Sequence, residues 1–240
     1  MNVSHSPVAC PAPNALELRS SHRTSPTLGR LTTATLLTGL ALGLVLAPLA
    51  NASPGAEKKS GKTIHRTFSS SGAITINDNQ EADPYPSTIE VSGLKKSKVT
   101  DVNVTLLDFS HDFPANVDIV LQAPDGSSTI LMSDIGAGAN VQHLSVTLDD
   151  QSGNTLPSTT VFESGTFKPT NLGAFPDPFP TLGSAPTGAL LAHLNGGNPN
   201  GEWRLFVVDD QGMDTGEIGG GWKLDLTVQA KARKKHGGKR

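Results

Sequence analysis

From Gly201 to Val228 the chain alternates side chains with a period of two. Trp203, Leu205 and Val207 alternate with Arg204 and Phe206, and Trp222, Leu224, Leu226 and Val228 alternate with Lys223, Asp225 and Thr227. Between the two runs lie Asp209, Asp210, Gln211, Gly212, Met213, Asp214, Thr215 and Gly216, which are mostly turn-forming residues. Successive side chains of an extended strand point to opposite faces, so the pattern predicts a β-hairpin with one apolar face. An amphipathic helix needs a period near 3.6 and cannot produce this pattern. The two runs hold both tryptophans of the 240-residue chain, which predicts that Trp203 and Trp222 are buried on facing or neighbouring strands.

The same rhythm recurs in shorter form. Ala73 to Ile76, Ile89 with Val91, Val102 with Val104 and Leu106, Val117 with Ile119 and Leu121, Ile130 with Met132, and Leu144 with Val146 and Leu148 each lie between Gly, Pro and Asp clusters. Helix signals are nearly absent. About eight strands with turn signals between them predict an all-β, antiparallel β-sandwich. One stretch breaks the rhythm: Asp149 to Gly188 has six prolines and no sustained alternation. A loop this long is uncommon unless it is functional or packed by its own side chains, and Phe162, Phe167, Phe175 and Phe179 could anchor it on the sandwich.

The N-terminal part is not domain material. Arg19, Arg23 and Arg30 precede an apolar run from Leu31 to Ala50, closed by Ala50-Asn51-Ala52. That is the form of a secretory signal peptide over residues 1–52 with cleavage before Ser53; the rival is a retained membrane anchor, since about 20 apolar residues span a bilayer. Residues 53–63 read as a flexible linker, residues 64–229 as one folded domain, and residues 230–240 as a basic disordered tail. Cys10 is the only cysteine, so the exported chain has neither a disulfide nor a thiol nucleophile. Between Ile64 and Gln229 seven Lys and Arg face twenty Asp and Glu, whereas Lys231 to Arg240 contains six basic residues. An acidic body argues against nucleic acid and favours divalent cations or solubility; the tail is either a solvated end or a contact with an anionic surface.

Several motifs occur in one order. Ser110-His111-Asp112-Phe113-Pro114 leads through Asn116-Val117 into Asp118-Ile119-Val120-Leu121-Gln122-Ala123-Pro124-Asp125-Gly126. Gly165-Thr166-Phe167-Lys168-Pro169 follows, then Asn200-Gly201-Glu202-Trp203-Arg204-Leu205-Phe206-Val207-Val208-Asp209, Asp214-Thr215-Gly216-Glu217-Ile218 and Trp222-Lys223-Leu224. This series resembles the P domain, or P/Homo B domain, of subtilisin-type proprotein convertases, and is most similar to its bacterial versions. The resemblance runs from about Phe68 to Val228. It implies a jelly roll, and an accessory module whose relatives pack against a subtilisin-type catalytic domain and stabilise it. The partner it implies is a separate secreted protease or a cell-surface component.

Nothing in the chain matches a hydrolytic site. His65, His111, His143 and His193 are available as bases, but no Ser stands in a Gly-x-Ser-x-Gly elbow. Asp214-Thr215-Gly216 matches the aspartic-protease tripeptide in one copy only, where the chemistry needs a pair of carboxylates sharing a proton. The expectation is a secreted, non-catalytic module. Its rivals are a carbohydrate-binding or adhesive jelly roll using Tyr85, Phe113, Phe175 and Phe179, and an enzyme with a site at an acidic rim.

That rim is the candidate metal site. Asp112 and Asp118 bracket the start of the strand from Val117 to Gln122, and Asp209 and Asp210 close the strand from Trp203 to Val208. If the two strands are antiparallel, these carboxylates and Asp214 gather at one edge, and hard oxygen ligands from loops suit a structural Ca²⁺. The alternative is that Asp118 and Asp209 accept backbone N–H bonds in turns and need no metal.

Overall fold

The computed structural model describes residues 61–231, apart from 137, 174–176, 183–185 and 187. The expected signal segment, Cys10, Phe175, linker residues 53–60 and the tail beyond Lys231 lie outside the described residues. No described helix is long and apolar enough to cross a membrane.

The chain is all-β. Its strands are β1 (Thr63–Ser70), β2 (Ile74–Ile76), β3 (Ser87–Val91), β4 (Ser97–His111), β5 (Val117–Gln122), β6 (Ser128–Ser133), β7 (Val141–Leu148), β8 (Gly165–Phe167), β9 (Thr170–Asn171), β10 (Gly201–Asp209), β11 (Gly216–Ile218) and β12 (Trp222–Ala230). Two 3₁₀ turns, Pro114–Asn116 and Leu191–Leu194, complete the described elements. A seven-stranded sheet runs β1-β12-β4-β11-β2, with β7 on β4 and β8 on β7; a five-stranded sheet runs β3-β10-β5-β6-β9. The pairings are antiparallel except β6 with β9 and β7 with β8, which are parallel. These two exceptions correct the expectation of a purely antiparallel arrangement, and they have one origin. β8 and β9 are short strands inside the proline-rich stretch, and the chain passes between them from an edge of one sheet to an edge of the other at Lys168-Pro169.

The expected hairpin is not formed. β10 belongs to the five-stranded sheet and β12 to the seven-stranded one, and β11 lies between them in sequence. Both runs alternate because each sheet turns one face to a shared core, which is the same periodicity a hairpin would show. Trp203 and Trp222 are each 0% exposed within that core, together with Val104, Leu106 and Phe109 from one sheet and Val117, Ile119 and Leu121 from the other. Each indole N–H is satisfied: Trp203 Nε1 donates to the Pro199 carbonyl at 2.9 Å, and Trp222 Nε1 donates to Ser87 Oγ at 3.0 Å. The second bond joins the two sheets, since Ser87 opens β3.

Four strands escape the alternation argument. β1 shows only Ile64 and Phe68 as apolar residues, while β8, β9 and β11 are too short for a period to register. Thr63 and Ala230, assigned to linker and tail by composition, are paired in strands: Thr63 with Gln229, and Ala230 with Ser97.

The later part of the proline-rich stretch, around Asp177 to Leu182, covers the outer face of the five-stranded sheet. Val120, Ile130, Phe206 and Val208 point away from the shared core and form a second apolar cluster with Phe179, with Tyr85, Leu182 and Ala189 at its margin. This explains why β5 is buried on both faces from Val117 to Leu121. Of the four phenylalanines expected to anchor the stretch, Phe179 does so here, and Phe162 and Phe167 pack on the main core.

Candidate metal centre

β5 and β10 are antiparallel, with Val208 opposite Asp118 and Asp209 opposite Val117. The start of one strand therefore faces the end of the other, and the acidic residues collect at one end of the sandwich. They do not form one nest. Strand alternation sends Val207 into the shared core and Val208 to the outer face, so Asp209 and Asp210 depart to opposite sides.

On the outer side, Asp118 lies beneath the proline-rich stretch and is 2% exposed. Carboxylate oxygens of Asp118, Asp134 and Asp177 all lie within 4.8 Å of one another. Asp134 follows β6, and Asp177 comes from the covering stretch. One hydroxyl lies among them: Ser133 Oγ, fully buried, is 3.1 Å from Asp134 Oδ2 and 3.1 Å from Asp177 Oδ2, and it lowers the Asp118 carboxyl. A serine has one proton to donate, so it can serve only one carboxylate at a time.

The electrostatics follow from this crowding. Burial pushes the Asp118 carboxyl up to about 8, and the charges of Asp177, Asp210 and Asp134 act in the same direction while Ser133 opposes them. Asp177 is raised by burial and by Asp134 and Asp210 against the same serine. Asp210 is raised by burial and then by Asp134. Four carboxylates thus form one electrostatic group, two of which, Asp118 and Asp210, belong to the predicted set.

On the inner side, Asp209 is 1% exposed and faces His111, with Nε2 to Oδ2 at 3.1 Å. That contact is at ion-pair distance but outside hydrogen-bond geometry, so neither atom has a formal hydrogen-bond partner. His111 Nδ1 accepts the Phe113 N–H at 3.2 Å, which puts the proton of the neutral ring on Nε2, toward Asp209. Asp209 Oδ1 accepts the Gln211 N–H at 3.0 Å, the turn-capping role weighed from the sequence. Burial raises the Asp209 carboxyl; Gln211 and His111 act against it, and Asp214 adds to it. Asp214 accepts from Asn116 Nδ2 at 3.2 Å. Asp112 is exposed, and its backbone N–H donates to the Thr215 carbonyl. Of the five predicted ligands, therefore, Asp118 and Asp210 lie on one face, Asp209 and Asp214 on the other, and Asp112 in neither group.

The other candidates have structural surroundings. Gly216 of the Asp-Thr-Gly tripeptide lies against β4, where a Cβ would overlap the Ser110 carbonyl and the His111 ring. His143 Nδ1 contacts Asp108 Oδ1 at 2.7 Å on the surface, but nearby Ser110 Oγ accepts the His143 backbone N–H rather than meeting the ring. Tyr85 is edge-on to Phe206, Phe179 is buried, and no aromatic among the described residues is exposed.

No family model matches the chain, and no curated protein matches it. Two solved structures are similar to it. A crystal structure of the Aeromonas sobria serine protease in complex with its chaperone aligns over 71% of this chain and 28% of its own, with 15% identity and a TM-score of 0.36. A crystal structure of the Aeromonas sobria serine protease aligns over 69% of this chain and 27% of its own, with 15% identity and a TM-score of 0.34. The chain spans about a quarter of the length of the structures it matches.

Asp134, Asp177 and Ser133 were not legible from motifs. Asp134 does follow an apolar strand directly, as Asp209 does, and Asp177 stands among prolines. What they lack in the sequence is a signal that the covering stretch folds onto the outer face of β5.

Proposed function

We propose that the chain is an exported, non-catalytic jelly-roll module of P/Homo B type that acts by binding a partner protein, and that its acidic end is braced by a structural Ca²⁺. The single observation that carries the reading is the convergence of Asp118, Asp134 and Asp177 around one serine hydroxyl beneath the proline-rich stretch. Three carboxylates with one proton donor leave an excess of acceptors in a partly desolvated place, and a divalent cation neutralises that arrangement with the oxygen donors it prefers. The donor set fits: all three are carboxylates, and Asp210 adds charge beside them.

The cation would join the neighbouring strands β5 and β6 to the covering stretch, which lies far from both in sequence. Holding the stretch down keeps the second apolar cluster closed and leaves a rigid module for a separate secreted protease or cell-surface component. The order of the motifs along β4, β5, β10, β11 and β12 supports the P/Homo B assignment, and the structural use of His111, Asp209 and Gly216 supports the absence of catalysis. Calorimetric titration with Ca²⁺ tests the centre, and assays on peptide and ester substrates test the rest. The expected results are one Ca²⁺ bound, lost in Asp134→Asn and Asp177→Asn but kept in Asp209→Asn, and no hydrolysis. Hydrolysis that survives repurification and disappears in Asp214→Asn would overturn the module reading.

A further inference from the structure

Along β10 the outer face of the five-stranded sheet changes character. Trp203 and Leu205 point into the shared core, so Glu202, Arg204 and Phe206 project outward. Phe206 is buried in the second apolar cluster, whereas the side chains of Arg204 and Glu202 are 47% and 43% exposed. A cleft of about 440 Å³ opens at this boundary; its apolar lining is Tyr85, Pro86 and Phe206, and its polar lining includes Thr88, Gln122, Glu202 and Arg204. Small-molecule sites combine these two ingredients. The polar lining is pre-formed. Arg204 stands opposite Thr88 on β3 and Gln122 on β5. Its Nε donates to Glu202 Oε1 at 2.7 Å, and its Nη1 donates to Gln122 Oε1 at a longer 3.4 Å. Two of the five guanidinium N–H donors are thereby used, and the rest stand beside Glu202 Oε2, which accepts no hydrogen bond among the described residues. Tyr85 supplies the apolar wall. Its hydroxyl is buried, so what this half-buried residue presents to the cleft is its ring, and Phe206 holds that ring edge-on with centroids 5.3 Å apart.

We infer that this cleft is a binding site for a neutral hexose saccharide. Charge disfavours the alternatives. Glu90 stands opposite Glu202 on β3, and Arg204 balances only one of the two, so an anion meets excess negative charge. A cation would have to sit against the Arg204 guanidinium. A neutral ligand suited to this lining offers a donor beside an acceptor, and an apolar face as well. Adjacent hydroxyls of a sugar ring meet the first need, one donating to Glu202 Oε2 while its neighbour accepts from Arg204. The C–H bonds of the same ring meet the second against Tyr85. The cleft lies at the opposite end of β10 from Asp209, and neither the calcium centre nor the P/Homo B assignment is needed for it, so each can fail without the other.

The test is NMR titration of the chain from Ser53 onward, which contains both sheets and every residue of both apolar clusters, with the methyl glycosides of glucose, galactose and mannose. Taken to about 0.1 M, these probes saturate a site whose Kd is on the order of 1 mM, the strength a ligand of this size reaches. At least one of them should shift the Arg204 Nε–H and Tyr85 ring signals along a saturating curve, and acetate should not. Arg204→Gln and Glu202→Ala change exposed side chains, so each should leave melting nearly unchanged while weakening glycoside binding, read at Tyr85, about tenfold or more. The absence of a saturating shift with all three glycosides overturns the inference. So does an Arg204→Gln variant that binds like the parent. Saturation by acetate in place of the glycosides also overturns it, and assigns the Arg204 fork to a carboxylate ligand.

Discussion

Asp118 is buried and ringed by carboxylates, and both influences favour its protonated form. The folded chain therefore holds this proton more tightly than the unfolded chain, whose carboxyl titrates near 3.9. The sign follows: the stability is fully present below about 4 and is lost as pH rises toward about 8. In chelator at pH 8, Asp118→Asn should raise the thermal midpoint, because it removes a carboxylate that ionises against burial. In calcium the same variant should lose the gain shown by the parent, which at a hundredfold excess over Kd is about 2.7 kcal/mol. Paired melts in calcium and chelator read both effects; a variant less stable than the parent in chelator at pH 8 would count against the crowding argument. Gly216 fails for a different reason. A Cβ there overlaps β4 backbone, so Gly216→Ala should cost about 2 kcal/mol or more by denaturant titration.

Among the elements, β12 is central to the larger sheet, paired with β1 on one side and β4 on the other. Trp222 at its start fills the shared core and donates across it to Ser87. Trp222→Ala should cost about 3 to 5 kcal/mol, and Ser87→Ala should cost about 1 kcal/mol by stranding the indole N–H. An unchanged thermal midpoint in the tryptophan variant would contradict its place between the sheets. The turn leading into β12 depends on Gly221, whose φ is +71° and whose N–H donates to the Ile218 carbonyl. The proline-rich stretch depends on Phe179. Phe179→Ala should leave the main core intact yet expose residues 177–182 to protease, so limited proteolysis should cleave there well below the melting temperature.

At the scale of the whole molecule, Asp118, Asp177, Asp209, Asp210 and Asp101 are all raised, each with burial as the largest cause. Among the described residues only Asp125 is lowered, chiefly by Ser127. The summed pH dependence therefore has the sign of the raised group. Without divalent cation, the thermal midpoint should fall as pH is taken from about 4 to about 8, and calcium should flatten that slope by stabilising the ionised centre. A metal-free midpoint that rises over this range would show that the acidic end is better hydrated than its burial implies.

The alternation of Trp203 to Val207 and of Trp222 to Val228 was enough to establish strands, their buried faces and the all-β class, because side-chain direction along a strand depends only on position within it. It could not say which sheet each strand joins, since β10 and β12 present the same pattern whether paired with each other or facing across a core. Phe162, Phe167 and Phe179 marked the proline-rich stretch as anchored, but the sequence does not specify which face it covers. That choice decided the candidate site. Asp209 and Asp210 are neighbours in sequence and separate in space by the parity of one strand, while Asp177 is distant in sequence from Asp118 and Asp134 and meets them because the tertiary fold lays one segment over the paired strands β5 and β6.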